Sequence, residues 1–92
     1  MYSKEEILQL LEKHIDFTLH AINMMDDPSR NLTKDEVIDA IRRGKIVGEE
    51  IADPCNKVEI QAYSPTIFVV IGVCKEEQKM VVITTYRGVK YD

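Results

Sequence analysis

The run Thr33-Lys34-Asp35-Glu36-Val37-Ile38-Asp39-Ala40-Ile41-Arg42-Arg43-Gly44-Lys45-Ile46-Val47 decides the fold, because its hydrophobic period changes midway. Thr33 and Glu36 have the spacing of a capping box, in which each side chain satisfies the other residue's backbone N–H. Val37, Ile38, Ala40 and Ile41 follow at helical spacing. Asp35 and Glu36 lie at the end of the helix dipole that favours acids, and Arg42 and Arg43 at the end that favours bases. Gly44 suits the left-handed residue that closes a helix. From Lys45 onward the period is two.

Toward the N-terminus the helical period continues. Ser3-Lys4-Glu5-Glu6 is another capping box, and Ile7, Leu10, Leu11 and His14 form one stripe after it. These residues predict a helix over 4–13, with His14 completing the apolar stripe. Residues 15–17 read as a short extended link. Thr18 caps a helix over 19–25, which Asp26-Asp27-Pro28-Ser29 ends. Toward the C-terminus, four strands are expected over 45–52, 58–63, 66–74 and 80–86. In the second, Val58, Ile60 and Ala62 alternate with Glu59, Gln61 and Tyr63, which predicts one wet face. The third is apolar on both faces and is expected to be central and covered on each side. Residues 87–92 read as a loose tail. Short turns between successive strands require antiparallel pairing. The expected architecture is α+β: three N-terminal helices packed on one face of a four-stranded antiparallel meander sheet.

The chain has 92 residues, the length of a single domain. Hydrophobic residues make up 45 % and charged residues 30 %, so a core is available and a disordered acidic tail is excluded. The net charge of −4 argues against a general nucleic-acid binder. Its excess acid lies mostly in residues 1–44, with 6 basic and 9 acidic side chains, against 6 and 7 in residues 45–92. Cys55 and Cys74 show neither metal-ligand spacing nor the density of a disulfide framework, so two reduced thiols are expected. The N-terminal residues are polar where a secretory signal needs an apolar run. The longest mainly apolar stretch, 67–74, is far shorter than the roughly 20 residues of a membrane span. Cytoplasmic placement, without membrane attachment, metal or cofactor, is the resulting expectation.

Several residues have chemistry beyond packing. His20, in the first turn of its helix, has a side chain suited to acid–base work near neutrality. Thr84-Thr85-Tyr86-Arg87 closes the last strand, and the planar fork of Arg87 fits a phosphate. Arg42-Arg43-Gly44-Lys45 is the densest basic cluster.

Thr18-Leu19-His20-Ala21, Leu32-Thr33-Lys34-Asp35-Glu36-Val37, Ala40-Ile41 and Gly44-Lys45-Ile46-Val47 also resemble the helical half of a family pattern. Phe68-Val69-Val70 and Val81-Val82-Ile83-Thr84-Thr85-Tyr86 resemble its sheet half. The family comprises small prokaryotic domains of unknown function, with a "His-Ala" helix and a final "Ile-Thr-x-Tyr" strand. It is similar to the BrnT toxins and, more distantly, to the RelE/ParE and barnase-like ribonuclease fold. The resemblance implies a metal-independent endoribonuclease. His20, Tyr86 and Arg87 would be catalytic, with Arg30 and Lys45 holding substrate. Its partners would be RNA or an antitoxin-like protein, with a homodimer as a further expectation. One position departs from the pattern: in His20-Ala21-Ile22-Asn23-Met24-Met25 the family's Arg is Met24. That departure motivates the alternative, a non-catalytic protein-interaction module on the same scaffold.

Overall fold

A computed structural model describes residues 1–89. The elements run α1 (Lys4–Lys13), β1 (Ile15–Phe17), α2 (Leu19–Asp26), α3 (Lys34–Arg43), β2 (Lys45–Glu50), β3 (Asn56–Ala62), β4 (Ile67–Cys74) and β5 (Lys79–Arg87). Both capping boxes form, at Ser3/Glu6 and Thr33/Glu36, and Thr18 Oγ1 accepts the Ala21 N–H.

The sheet corrects the expected architecture. It has five strands in the order β1-β5-β4-β3-β2, and it is mixed. β2 to β5 form the antiparallel meander, but β1 pairs parallel with β5 through Ile15↔Met80, Asp16↔Val81 and Phe17↔Val82. The segment read as a link is therefore a strand, and it separates α1 from α2, so the helices are not all ahead of the sheet. Three residues are too few to display a period. Their strand character comes from a partner at the far end of the chain.

One face of the sheet meets the helices. Val58 and Ile60 of β3, Val69, Ile71 and Val73 of β4, and Met80 and Val82 of β5 form a single core with Ile7, Leu10, Leu11, Ala21, Met25, Val37 and Ile41. Full burial of a side chain such as Val37 or Ile41 contributes about 1.5–3 kcal/mol. His14 does not join that stripe. It caps α1 in extended conformation, exposed, with Nε2 2.9 Å from Asp16 Oδ2. Gly44 closes α3 without a left-handed turn, at φ −77° and ψ 175°. Close approach explains the glycine instead: a Cβ there would stand 2.7 Å from the Ala40 carbonyl and 2.7 Å from Ile60 Cγ2.

The other face carries Phe68, Val70, Gly72 and Cys74 from β4, and here two further expectations fail. Cys55 and Cys74 form a disulfide rather than remaining reduced. The register Asn56↔Val73 sets the two cysteines opposite each other, with a Cα–Cα distance of 4.4 Å. Nineteen positions of sequence separation concealed that adjacency. Gln61, expected on a wet face, is 3 % exposed. Its Nε2 donates to the carbonyls of Gly88 at 2.9 Å and Ile67 at 3.2 Å, so it ties down the chain leaving β5. The tail reading is overturned for Arg87, which belongs to β5, while residues 90–92 of that tail lie outside the described residues. Among the described residues, no helix is long and apolar enough to cross a membrane.

Candidate functional site

The residues singled out for chemistry fall in three places. Arg30 and Arg87 come together where β5 ends beside the α2–α3 loop. Asp27 shapes that loop: its Oδ1 accepts the Ser29 N–H at 2.9 Å and the Ser29 hydroxyl at 2.7 Å. Its carbonyl accepts the N–H groups of Arg30 and Asn31, both at 2.8 Å. Asn31 takes the left-handed conformation at φ 46°, which Asn tolerates better than most residues. The loop carbonyls then face Arg87. Arg87 Nε donates to the Arg30 carbonyl at 2.7 Å, and Nη2 donates to the Asn31 carbonyl at 3.2 Å and to Glu36 Oε2 at 2.9 Å.

The planar fork proposed for a phosphate is thus bound to two carbonyls and a carboxylate of its own chain. The Arg87 hydrogen bond, followed by the Thr33 backbone N–H, holds the Glu36 carboxyl below its usual range. Such a group is a fixed anion at neutral pH, not a proton donor. The Arg30 side chain is turned back along α2, with Nη1 3.5 Å from Met24 Sδ and 3.5 Å from Asp27 Oδ2. Met24, at the position of the departure, thereby contacts the neighbouring cation.

His20 stands apart. Thr18 donates its N–H to the Val82 carbonyl and its hydroxyl to the Ile83 carbonyl, each at 3.0 Å, which fixes the start of α2 beside Ile83. Arg87 lies four residues further along β5, on the order of 13 Å at the rise of a strand. The ring of His20 is exposed in the first turn of α2, and the Arg87 guanidinium is bound beyond the last.

Tyr86 and Lys45 share the helix-free face without meeting. Lys45↔Gln61, Gln61↔Phe68 and Phe68↔Tyr86 form one row across four strands. Residues directly opposite in antiparallel strands share a face. Three strand spacings separate the ends of that row, on the order of 14 Å. The Tyr86 ring packs on Phe68 at 5.2 Å between centroids, and its hydroxyl donates to the Val89 carbonyl at 3.4 Å. Tyr86 and the disulfide flank the buried Phe68 and Gly72, which makes this face partly apolar. A separate cleft between α1 and the β4–β5 turn is lined by Tyr2, Glu6, Lys13, Lys75 and Gln78 among others, and none of the five residues above reaches it. Among the described residues, no group of three or more His, Cys, Asp or Glu is placed to hold a metal.

A different grouping emerges at the outer margin of β2. Among the described residues, the exposed large apolar side chains are Met1 (88 %), Leu19 (73 %), Val47 (47 %), Ile51 (74 %) and Tyr63 (56 %). Val47 is within β2, and Ile51 follows it directly. Tyr63 follows the end of β3 that pairs with the start of β2, and its carbonyl accepts from Arg43 Nη1. Met1 precedes Tyr2, whose N–H donates to the Glu49 carboxylate at 3.1 and 3.2 Å. Val47, Ile51 and Met1 therefore lie along β2 and its far end, whereas Tyr63 stands past the opposite end of the β2–β3 pair, on the order of 23 Å from Ile51, and Leu19 is on α2. Single exposed apolar residues are ordinary, but a group of them marks a contact surface. Periodicity could not locate this group, because it depends on which strand ends the sheet.

The fold defines the protein as a small α+β domain with a mixed sheet closed on one side by three helices. The family described as "Domain of unknown function (DUF4258)" matches residues 17–87, and the chain belongs to it. The match begins at the end of β1 and leaves α1 outside. No curated protein and no solved structure matches the chain.

Proposed function

We propose that this domain is a non-catalytic protein-interaction module that docks through the margin of β2. The reading is carried by Val47 and Ile51, which are exposed on and directly after the strand that ends the sheet. A module of this kind needs apolar area that the fold itself leaves uncovered. The nuclease reading, implied by similarity to BrnT and RelE/ParE domains, needs a general base and a cation aimed at one phosphate. Against it stand the Glu36-bound fork of Arg87, the isolation of His20 and the three-strand separation of Lys45 from Tyr86.

Two measurements test the proposal. RNA incubated with the wild-type protein and with His20→Ala should show equal background cleavage on a gel; cleavage lost in the variant overturns it. Cross-linking in expressing cells, read by mass spectrometry, should give an adduct that the double variant Val47→Asp/Ile51→Asp loses and Leu19→Asp keeps. Equal adducts from all three proteins, or none from the wild type, refute docking at this margin.

A further inference from the structure

We propose that the partner at this margin is a second copy of the same chain, joined β2 to β2 in antiparallel fashion about a two-fold axis. The inference rests on the docking role of the β2 margin and names its occupant. β2 ends the sheet, so among the described residues no strand of this chain pairs with its outer side. Such an edge is a ready template for another strand. The opposite edge is β1, only three residues long.

The charge order of β2 selects the second copy and the register. The strand reads Lys45-Ile46-Val47-Gly48-Glu49-Glu50, with its cation at one end and its anions at the other. Antiparallel pairing about an axis between Val47 and Gly48 sets each Lys45 opposite the second copy's Glu50, at both ends of the contact. The faces agree. Lys45 shares the helix-free face with Gln61 and Phe68, and Glu50, opposite Lys57 and Gly72, lies on the same face. Both side chains are exposed, and neither has an ion-pair partner among the described residues.

Glu49 does not compete for Lys45. It lies on the helix side of the sheet, opposite Val58, and its carboxylate accepts from the Tyr2 N–H and from Asn56 Nδ2. A slip of one residue would set Lys45 against Glu49 on the wrong face, so the register is specified. The irregularity between Ile46 and Gly48 leaves Val47 exposed at the axis, where the second copy presents a glycine. Edge charges and bulges ordinarily discourage pairing. Here the charges oppose a parallel neighbour and match this one, and the faces oppose a one-residue slip. Closed two-fold pairing uses one patch twice, the commonest form of self-association.

Sedimentation equilibrium tests this directly. The wild-type protein should be a dimer that weakens with added salt. Lys45→Glu and Glu50→Lys each turn two attractive pairs into two repulsive ones, and each should weaken dimerisation about ten- to thirtyfold. An equimolar mixture of the two variants should regain wild-type association, because every 45–50 pair across the axis is again of opposite sign. The double variant Lys45→Glu/Glu50→Lys should regain it too. A monomeric wild type, an unchanged constant in the single variants, or a mixture that stays monomeric each overturns the proposal. The module reading is judged separately: a monomeric wild type whose Val47- and Ile51-dependent cross-link goes to another protein sinks self-pairing alone.

Discussion

Breaking the Cys55–Cys74 bond should destabilise the domain by about 3 kcal/mol. The bond closes a loop of 19 positions between the start of β3 and the end of β4. Closing a loop of that size removes about 11 cal/mol/K from the entropy of the unfolded chain, or about 3 kcal/mol at 25 °C. A domain of this length has about 5–15 kcal/mol of stability in all, so the fraction is large. At about 4–8 °C per kcal/mol, the melting temperature should fall by about 12–24 °C. Two perturbations separate the cross-link from the packing. Reduction of the wild-type protein with a dithiol breaks the bond and keeps both sulfurs in place. Cys55→Ala/Cys74→Ala also removes sulfur volume, and Cys74 is buried. Circular dichroism melts with and without reductant should shift for the wild type and not for the double variant. The reduced wild-type protein should melt at or slightly above the variant. A shift below about 4 °C, with both thiols titrating after reduction, would refute the loop-entropy argument. Two thiols titrating before any reductant is added would refute the disulfide itself.

Acid should weaken the Arg87–Glu36 clamp. The folded Glu36 carboxyl titrates below its unfolded value, so its contribution is complete above the ordinary carboxylate range and lost as pH falls through the folded value. Stability measured by urea from pH 6 down to pH 3 should fall less in Glu36→Gln than in the wild type, and parallel curves would refute the assignment. At neutral pH the same variant should cost about 0.2–1 kcal/mol, since it removes a partly exposed ion pair while glutamine still completes the capping box. Gly44→Ala should cost about 1–3 kcal/mol in the same assay, because its methyl group meets the Ala40 carbonyl and Ile60. An unchanged midpoint would mean that this corner of α3 and β3 gives way freely.

Much of the fold was legible because its signals are local. A capping box needs two residues three apart, and both boxes formed where they were read. The change of period at Gly44 marks the end of α3 and the start of β2. The four strands of the meander follow from short turns, and their expected antiparallel order holds. Of the candidate site, the resemblance groups Arg30 and Arg87 with His20, Tyr86 and Lys45, whereas the structure brings only the Arg30 backbone to Arg87. The partner that matters there, Glu36, shows only its capping role in the sequence.

The sequence by itself determined the three helices, the meander and which side chains could enter a core, since these depend on neighbours within a few positions. Tertiary structure alone decided the rest. β1 is a strand because β5 lies beside it, and Cys55 meets Cys74 because the register of β3 on β4 sets them opposite. Arg87 is a clamp because the α2–α3 loop turns its carbonyls toward β5, and β2 is the outer strand because the order of strands among the described residues ends there. Each of these depends on pairing between residues far apart in the chain, which no local pattern of residues encodes.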